Sequence, residues 1–395
     1  MMKLSVKDLN LKDKRVLMRV DFNVSLDEAG RITDDTRIVS AVPTIKYILD
    51  HGASLILMSH LDRPKGKVVE SLRMDPVAHR LAELLGKKVL KLSDCVGPEV
   101  KDAVSKLKPG VIILLENTRF HPEETKNDPH FAKKLADLAD VFVNDAFGTA
   151  HRAHASTVGV TQFLPAAAGF LMAKELEVLA EILTRPETPF VAVLGGAKVS
   201  DKIGVLRSLV GKCQDILIGG GMAYTFLKAK GIEVGRSLVD LEKVKDADLI
   251  MREASRKGTH LLLPLDHRVA REAKEDVEVS IVPQDKIPPD YLALDIGPET
   301  IRLFEKSIRK AKTVFWNGPM GRFEIEDFAE GTRAIAKISA ESGAKVVVGG
   351  GDSIAALQKM GLKDKMSYVS TGGGASLEFL EGKELPGVTS LSDKK

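Results

Sequence analysis

The chain has 395 residues, 44% of them apolar and 29% charged, with a net charge of +3. That length exceeds one ordinary core and suits two domains of near-equal size, and the apolar fraction excludes a disordered chain. The charge is too mild to suggest nucleic acid, Cys95 and Cys213 stand far apart with no zinc or disulfide pattern, and no run of 18 apolar residues exists to span a membrane. The first eleven residues carry lysines and an aspartate but no apolar core, so a signal peptide is not expected and a reducing, cytoplasmic compartment is.

In chain order, short apolar runs recur: RVLMRV (15–20), SLILM (54–58), VIILL (111–115), VFV (141–143), VAVL (191–194), DILI (215–218), HLLLPL (260–265), TVFW (313–316) and KVVV (345–348). None alternates cleanly, which fits strands buried on both faces. Amphipathic stretches such as 36–49 and 129–138 lie between them, so the pattern predicts an α/β fold with parallel sheets. The segment LMAKELEVLAEIL (171–183), followed by Pro186 and Pro189, reads as a linker helix and hinge, and the tail from Gly382 as irregular. The apolar stretch 160–173 is too short for a membrane span.

Ligands of open parallel sheets bind outside the carboxyl ends of the strands. Before residue 170 those ends carry Asp21 and Asn23, then His60 and Arg63, then Arg119, then Asn144 and Asp145. That set suits a small anion gripped by guanidinium forks. After residue 190 they carry Gly195, Gly196 and Lys198, then Gly219 to Gly221, then Asn317 and Gly318, then Gly349 to Gly351 and Asp352. Glycines, a lysine and a carboxylate suit a nucleotide with its metal.

Each motif has a plainer explanation. Any one of Arg37, Arg63, Arg119 and Arg152 alone would be surface charge, but their recurrence after successive strands, with His60, favours convergence. Asp21 and Asn23 fit a turn or helix cap as well as a substrate hydroxyl. His151 and His154 flank Arg152 without the partners a metal needs, and His121 and His130 read as surface histidines. GGAKVSDKI (195–203) lacks the Walker ending, and Lys198 and Lys202 share a face only if a helix begins there. GGGMAY (219–224) and VVVGGGDSIAAL (346–357) lack the dinucleotide fingerprint, which argues against an oxidoreductase. STGGGASLEFL (370–380) fits either a flexible entry loop or, more in keeping with its neighbours, an anion site at a helix start.

The segments RVDFNV (19–24), SHLDRP (59–64), ENTRFHPEE (116–124), VNDAFGTAHRAHAST (143–157), GGAKVSDKI, LDIGPET (294–300), WNGPMGRFE (316–324), VVVGGGDS (346–353) and STGGGASLEFLEG (370–382) resemble the phosphoglycerate kinase family, in its order, across residues 19 to 382. The resemblance implies two Rossmann-like domains: 1–170 for 3-phosphoglycerate, a linker helix and hinge over 171–186, 187–375 for the nucleotide, and 376–395 returning to the N-terminal domain. It implies that Asp21 and Asn23 contact the glycerate, that His60, Arg63, Arg119 and Arg152 hold the stable phosphate, and that Arg37 reaches the transferring group. Nucleotide contacts would come from Gly195, Lys198, Lys202, Gly219, Gly220, Asn317, Glu324, Gly350, Gly351, Asp352 and Ser353, with Mg2+ on Asp352. Lys202, Gly372 and Gly373 would join Arg37 at the moving phosphate. The reaction expected is reversible, magnesium-dependent transfer between 1,3-bisphosphoglycerate and ADP in glycolysis, by a monomer without nucleic-acid or membrane partners. A carboxylate acceptor is already ionised at neutral pH, so no general base is needed, and hinge closure would bring the ligands together.

Three residues depart from the family pattern: Ser25 for Pro, Asp62 for Gly and Arg322 for Val. Asp62 puts a carboxylate between His60 and Arg63, where it either weakens the anion site, pairs with Arg63 or faces water. It is also the only feature favouring a non-catalytic binding protein, against which Arg37, Lys202 and Asp352 all stand.

Overall fold

A computed structural model describes residues 3–394. Two compact units emerge, one holding the chain up to Glu177 and again from Glu384, the other running from Val178 to Lys383. The unit boundary falls inside the helix Phe170–Thr184.

The first unit is built on a six-stranded parallel sheet. Its spatial order is Val89–Lys91, Ile112–Leu114, Ser54–Met58, Arg15–Arg19, Val141–Asn144 and Ala166–Ala168. Ser54–Met58 and Val141–Asn144 are buried at every position, which is why they read as unbroken apolar runs. A core of Val16, Met18, Leu55, Leu57 and Val143 packs against Ile38, Ile45 and Ile48 of the helix Thr36–Asp50 and Val77 and Leu81 of the helix Asp75–Leu85. From Arg15–Arg19 the chain goes to Ser54–Met58 on one side, and Val141–Asn144 lies on the other. The order reverses there, and the ends of those strands frame a crevice.

The second unit has its own six-stranded parallel sheet, ordered His260–Leu262, Asp215–Ile218, Phe190–Leu194, Thr313–Asn317, Lys345–Gly349 and Tyr368–Val369. Numbered within the sheet this is the 3-2-1-4-5-6 order of dinucleotide-binding folds. Its reversal lies between Phe190–Leu194 and Thr313–Asn317.

Parallel sheets are not the whole architecture. Asp266–Ala270, Ser280–Pro283 and Leu292–Ile296 form an antiparallel sheet with Asp266–Ala270 in the middle. Ser280–Pro283 alternates half-buried and exposed, the mark of a one-faced strand, but four residues of alternation lie below what a sequence scan separates from a loop. Ala166–Ala168 is a strand in spite of alanine's poor strand propensity, because pairing with Phe142–Asn144 decides it. The tail is not wholly irregular: it carries the short helix Pro386–Thr389, and Gly387 packs against Ala150, whose carbonyl accepts the Gly387 N–H at 2.8 Å. A side chain at Gly387 would meet the Ala150 backbone at 2.9 Å. The Leu4 N–H donates to the Ser392 carbonyl, so both chain ends join the first unit. Among the described residues no helix is long and apolar enough to cross a membrane.

Candidate active site

In the first unit, Asp21, Asn23, Arg37, His60, Arg63, Arg119 and Arg152 line one cavity of about 130 Å³, together with Asp62, Gly148, Thr149 and His151. All seven residues expected there from the sequence are brought together. They arrive from five places: the ends of three strands, the first turn of the helix Thr36–Asp50, and the loop beyond Val141–Asn144.

The cavity is held open by hydrogen bonds among its own walls. Asp21 and Arg37 form an ion pair. The Asp62 N–H donates to Asn23 Oδ1 at 2.7 Å, and the Asp62 carbonyl accepts Arg119 Nη1 at 2.9 Å. Arg152 Nε donates to His151 Nε2 at 3.1 Å. Burial and the nearby Arg19 and Arg152 lower the Arg119 pKa to about 10, so it remains charged at neutral pH but crowded by other cations. An anion would relieve that repulsion. His60 is held well below its ordinary range by burial and by Arg19, Arg119 and Arg37. His154 is buried behind the cavity and lowered to about 3 by burial and by the arginines.

Asp62 has φ of 52°, in the left-handed region that glycine enters freely and aspartate tolerates. This explains the usual glycine there. The Asp62 side chain is exposed on the cavity rim, and among the described residues it forms no ion pair with Arg63.

The second unit holds a cavity of about 530 Å³ lined by Gly196, Ala197, Gly220, Gly221, Tyr224, Leu238, Leu292, Leu294, Pro319, Gly321, Glu324 and Asp352, with Arg236 and Arg322 also on its wall. Its wall combines Tyr224 and leucines with the backbone of several glycines, and it has one carboxylate at each of two places, Glu324 and Asp352. A larger groove of about 690 Å³ beside His260–Leu262 is lined by five leucines together with Lys230, Ser255, Thr259, His260 and Gln284, and contains none of the expected site residues.

Of the expected nucleotide contacts, Gly220, Glu324 and Asp352 line this cavity directly. Gly195 and Gly219 stand behind it. A Cβ at Gly195 would come within 2.0 Å of the Pro319 carbonyl oxygen, and one at Gly219 within 2.4 Å of Met320 Sδ, so close packing of the loop explains both glycines. Lys198 is exposed, and Lys202 is buried. They flank the 3-10 turn Val199–Asp201, and the α-helix starts only at Ile203, so they do not share an α-helical face. Lys202 lies near Gly196, where an added Cβ would meet its Cε at 4.0 Å. Burial lowers its pKa to about 8, opposed by Asp201 and Asp352.

Asn317 is wholly buried, and both amide atoms lack a partner among the described residues. It faces Gly350, whose added Cβ would touch Nδ2 at 3.1 Å. Ser353 Oγ instead accepts the Gly318 N–H at 2.6 Å and fixes the loop after Thr313–Asn317. Gly351 opens the helix Gly351–Lys359, with Asp352 exposed in its first turn and in no ion pair among the described residues. The Gly372 N–H donates to Ser370 Oγ at 3.2 Å, and Gly373 has φ of 53° before the helix Gly374–Leu380. Arg322 is exposed beside Glu324 without an ion pair to it among the described residues.

Several lining residues lie outside the sequence reading. Tyr224 falls one turn after Gly220 and Gly221, a findable signal, whereas Leu292 and Leu294 belong to the antiparallel sheet and Arg236 carries no signal at all.

A family model for phosphoglycerate kinase matches residues 6–383. The phosphoglycerate kinase of Moorella thermoacetica is 60% identical over 394 residues, covering 100% of both chains. That of Dictyoglomus turgidum is 59% identical over 392 residues, covering 99% of this chain and 98% of its own. Among solved structures, the phosphoglycerate kinase of Coxiella burnetii aligns with a TM-score of 0.88 at 44% identity, and that of Pyrococcus horikoshii with 0.86 at 35%, each covering 98% of both chains.

Proposed function

Because the chain belongs to the phosphoglycerate kinase family, we propose that it transfers a phosphoryl group reversibly between 1,3-bisphosphoglycerate and ADP, giving 3-phosphoglycerate and ATP. The observation that carries this reading is the convergence of Arg37, His60, Arg63, Arg119 and Arg152 with Asp21 and Asn23 on one small cavity. Four guanidinium groups match a phosphate and a carboxylate, and the Asp21–Asn23 pair matches a hydroxyl.

The acceptor carboxylate needs no deprotonation, so the protein's task is alignment and neutralisation of a loose transition state. Arg63, Arg119 and Arg152, with His60, grip the stable phosphate. Arg37, pinned by Asp21, faces the reacting end. Lys202, charged below about pH 8, neutralises the nucleotide phosphates. Gly196, Gly220 and Gly221 cradle the nucleotide, Glu324 takes the ribose hydroxyls, and the amide of Asn317 serves the phosphate chain beside Gly350. The N–H groups of Gly372 and Gly373 add dipoles at the transferring phosphate, the first in exchange for its contact with Ser370.

A hard divalent cation fits this donor set. Asp352 offers a carboxylate that forms no ion pair among the described residues, and Mg2+ commonly takes one or two carboxylates plus phosphate oxygens. Such an ion supplies Lewis-acid charge neutralisation to the phosphates when bound. Closure of the two ligand-bearing units excludes water, an expectation checked by X-ray scattering with and without both ligands. A cytoplasmic monomer is the accompanying expectation.

The deciding assay is magnesium-dependent ATP consumption with 3-phosphoglycerate, coupled to a dehydrogenase that removes the acyl phosphate. Turnover is expected, with kcat reduced about 100- to 1000-fold by Arg37→Ala or Lys202→Ala. Nucleotide binding without any turnover would sink the reading.

A further inference from the structure

Arg19 ends the central strand Arg15–Arg19 and is wholly buried beneath the anion cavity without lining it. Its Nε donates to Ser156 Oγ at 2.8 Å, one terminal nitrogen donates to the Val20 carbonyl, and Nη2 lies 3.0 Å from His60 Nδ1. The balancing charge is Glu124, also wholly buried, which accepts Ser156 Oγ at 2.5 Å and the Ser156 N–H at 3.0 Å. A buried Arg–Ser–Glu chain therefore ends on a histidine of the cavity wall.

A guanidinium carries only donors. In the contact with Arg19, His60 Nδ1 must be the acceptor, so it bears no proton. A ring with Nδ1 unprotonated is neutral and carries its single proton on Nε2. His60 is 3% exposed, and what it exposes is on the cavity. An imidazolium would turn an N–H against the guanidinium, and a flipped ring would turn a C–H to it, leaving a buried donor unpaired at a cost of about 1–3 kcal/mol.

We propose that Arg19 is a positioning residue that fixes His60 as a neutral imidazole, its Nδ1 lone pair turned inward and its Nε2–H turned into the anion cavity. His60 then contributes a directed donor to the phosphate, not a charge, and the charge comes from Arg63, Arg119 and Arg152. The groups facing His60 act in the same sense: Arg19, Arg119, Arg37 and His154 all disfavour a second proton on the ring. The proposal rests on the phosphate-site reading above but is tested separately from it.

The test is a long-range proton–nitrogen correlation spectrum of the full-length protein with 15N-labelled histidine, the His60 signal assigned by its loss in His60→Gln. An Nε2–H pattern that does not titrate between about pH 5.5 and 8.5 is expected. An Nδ1–H pattern, or an imidazolium at pH 7, would overturn the proposal. The double variant Arg19→Met with Glu124→Gln removes both buried charges together, so neither is stranded. In it Nδ1 no longer faces a donor that fixes the tautomer, so the single Nε2–H pattern is expected to give way to a mixture of Nε2–H and Nδ1–H forms. KM for 3-phosphoglycerate should then rise about fivefold over wild type, as the directed Nε2–H bond to the phosphate is lost from part of the population. A folded double variant whose His60 keeps the fixed pattern and shows no such rise rejects Arg19 as the cause. Should that variant fail to fold, the wild-type spectrum decides alone. An Nε2–H pattern in a protein without turnover supports the positioning while removing the functional reading.

Discussion

At the scale of single residues, the proposed anion site was legible because its chemistry repeats. Five cationic or donor side chains after successive strands announce an anion, and the cavity gathers all of them. Asp62 was legible as a departure but not as a consequence, since only the backbone angle explains the usual glycine. Asp62→Gly removes a carboxylate from the rim and a left-handed non-glycine residue from the loop. The expected result is a two- to fivefold lower KM for 3-phosphoglycerate in steady-state assays, the effect of roughly 0.5–1 kcal/mol from a partly solvated charge. Relief of strain and the added entropy of glycine offset each other, so thermal unfolding should move by less than about 1 kcal/mol. Lys202 gives a pH prediction. Its folded value of about 8 lies below the ordinary 10.5, so the ammonium is present below pH 8 and lost above it. Calorimetric titration with ADP should therefore show affinity declining from pH 7.5 to 9, and Lys202→Met should flatten that part of the profile.

At the scale of elements, each unit contains a buried carboxyl at the start of a helix. Asp145 Oδ1 accepts the Met172 N–H at 3.1 Å in the first turn of Phe170–Thr184, and Gly169 leaves room for it. Asp295 Oδ2 accepts the Gly331 N–H at 2.7 Å in the first turn of Glu330–Glu341, with Gly321 and Gly331 pressed against it. Burial raises both to about 7. A folded-state value above the unfolded one means that the folded protein holds a proton the unfolded chain releases. Stability is thus favoured below about pH 4 and declines as pH rises through 7. Asp145→Asn keeps an acceptor for Met172 and cannot ionise. Its melting temperature relative to wild type should increase from pH 5 to pH 8, each unit of the removed shift counting for about 1.4 kcal/mol. A difference independent of pH would show that Asp145 is ionised in the folded protein already at pH 5. The long parallel strands were legible as apolar runs; the antiparallel strands 266–270, 280–283 and 292–296 were not, because the buried polar residues Asp266, His267 and Asp295 interrupt the first and third and the second is half exposed.

At the scale of the molecule, the first unit is discontinuous and the second is not. Asn144 Nδ2 donates to the Gly387 carbonyl at 3.1 Å, Ala166 N–H donates to Ser392 Oγ at 3.1 Å, and Lys3 pairs with Asp393. A chain ending at Lys383 should lose these contacts. Hydrogen exchange resolved by segment is expected to show lower protection in Val141–Asn144 and Ala166–Ala168, with Phe190–Leu194 and Thr313–Asn317 unchanged. Equal protection in both chains would show that the tail adds nothing to the first sheet.

The sequence by itself determined the α/β class, the long strands and the chemistry after each of them, because burial on both faces and clustered charge leave their marks in consecutive residues. It also pointed to the side chains that line the small cationic cavity, since a guanidinium or carboxylate carries its chemistry wherever it sits. Tertiary structure alone decided the strand order, and with it the two reversals where the cavities open. It likewise decided which glycines face a cavity and which only permit packing, and that Lys202 is buried while Lys198 is exposed. Those properties depend on neighbours distant in the chain: Pro319 against Gly195, Glu124 and Ser156 around Arg19. No local pattern of residues encodes which distant group will fill the space beside them.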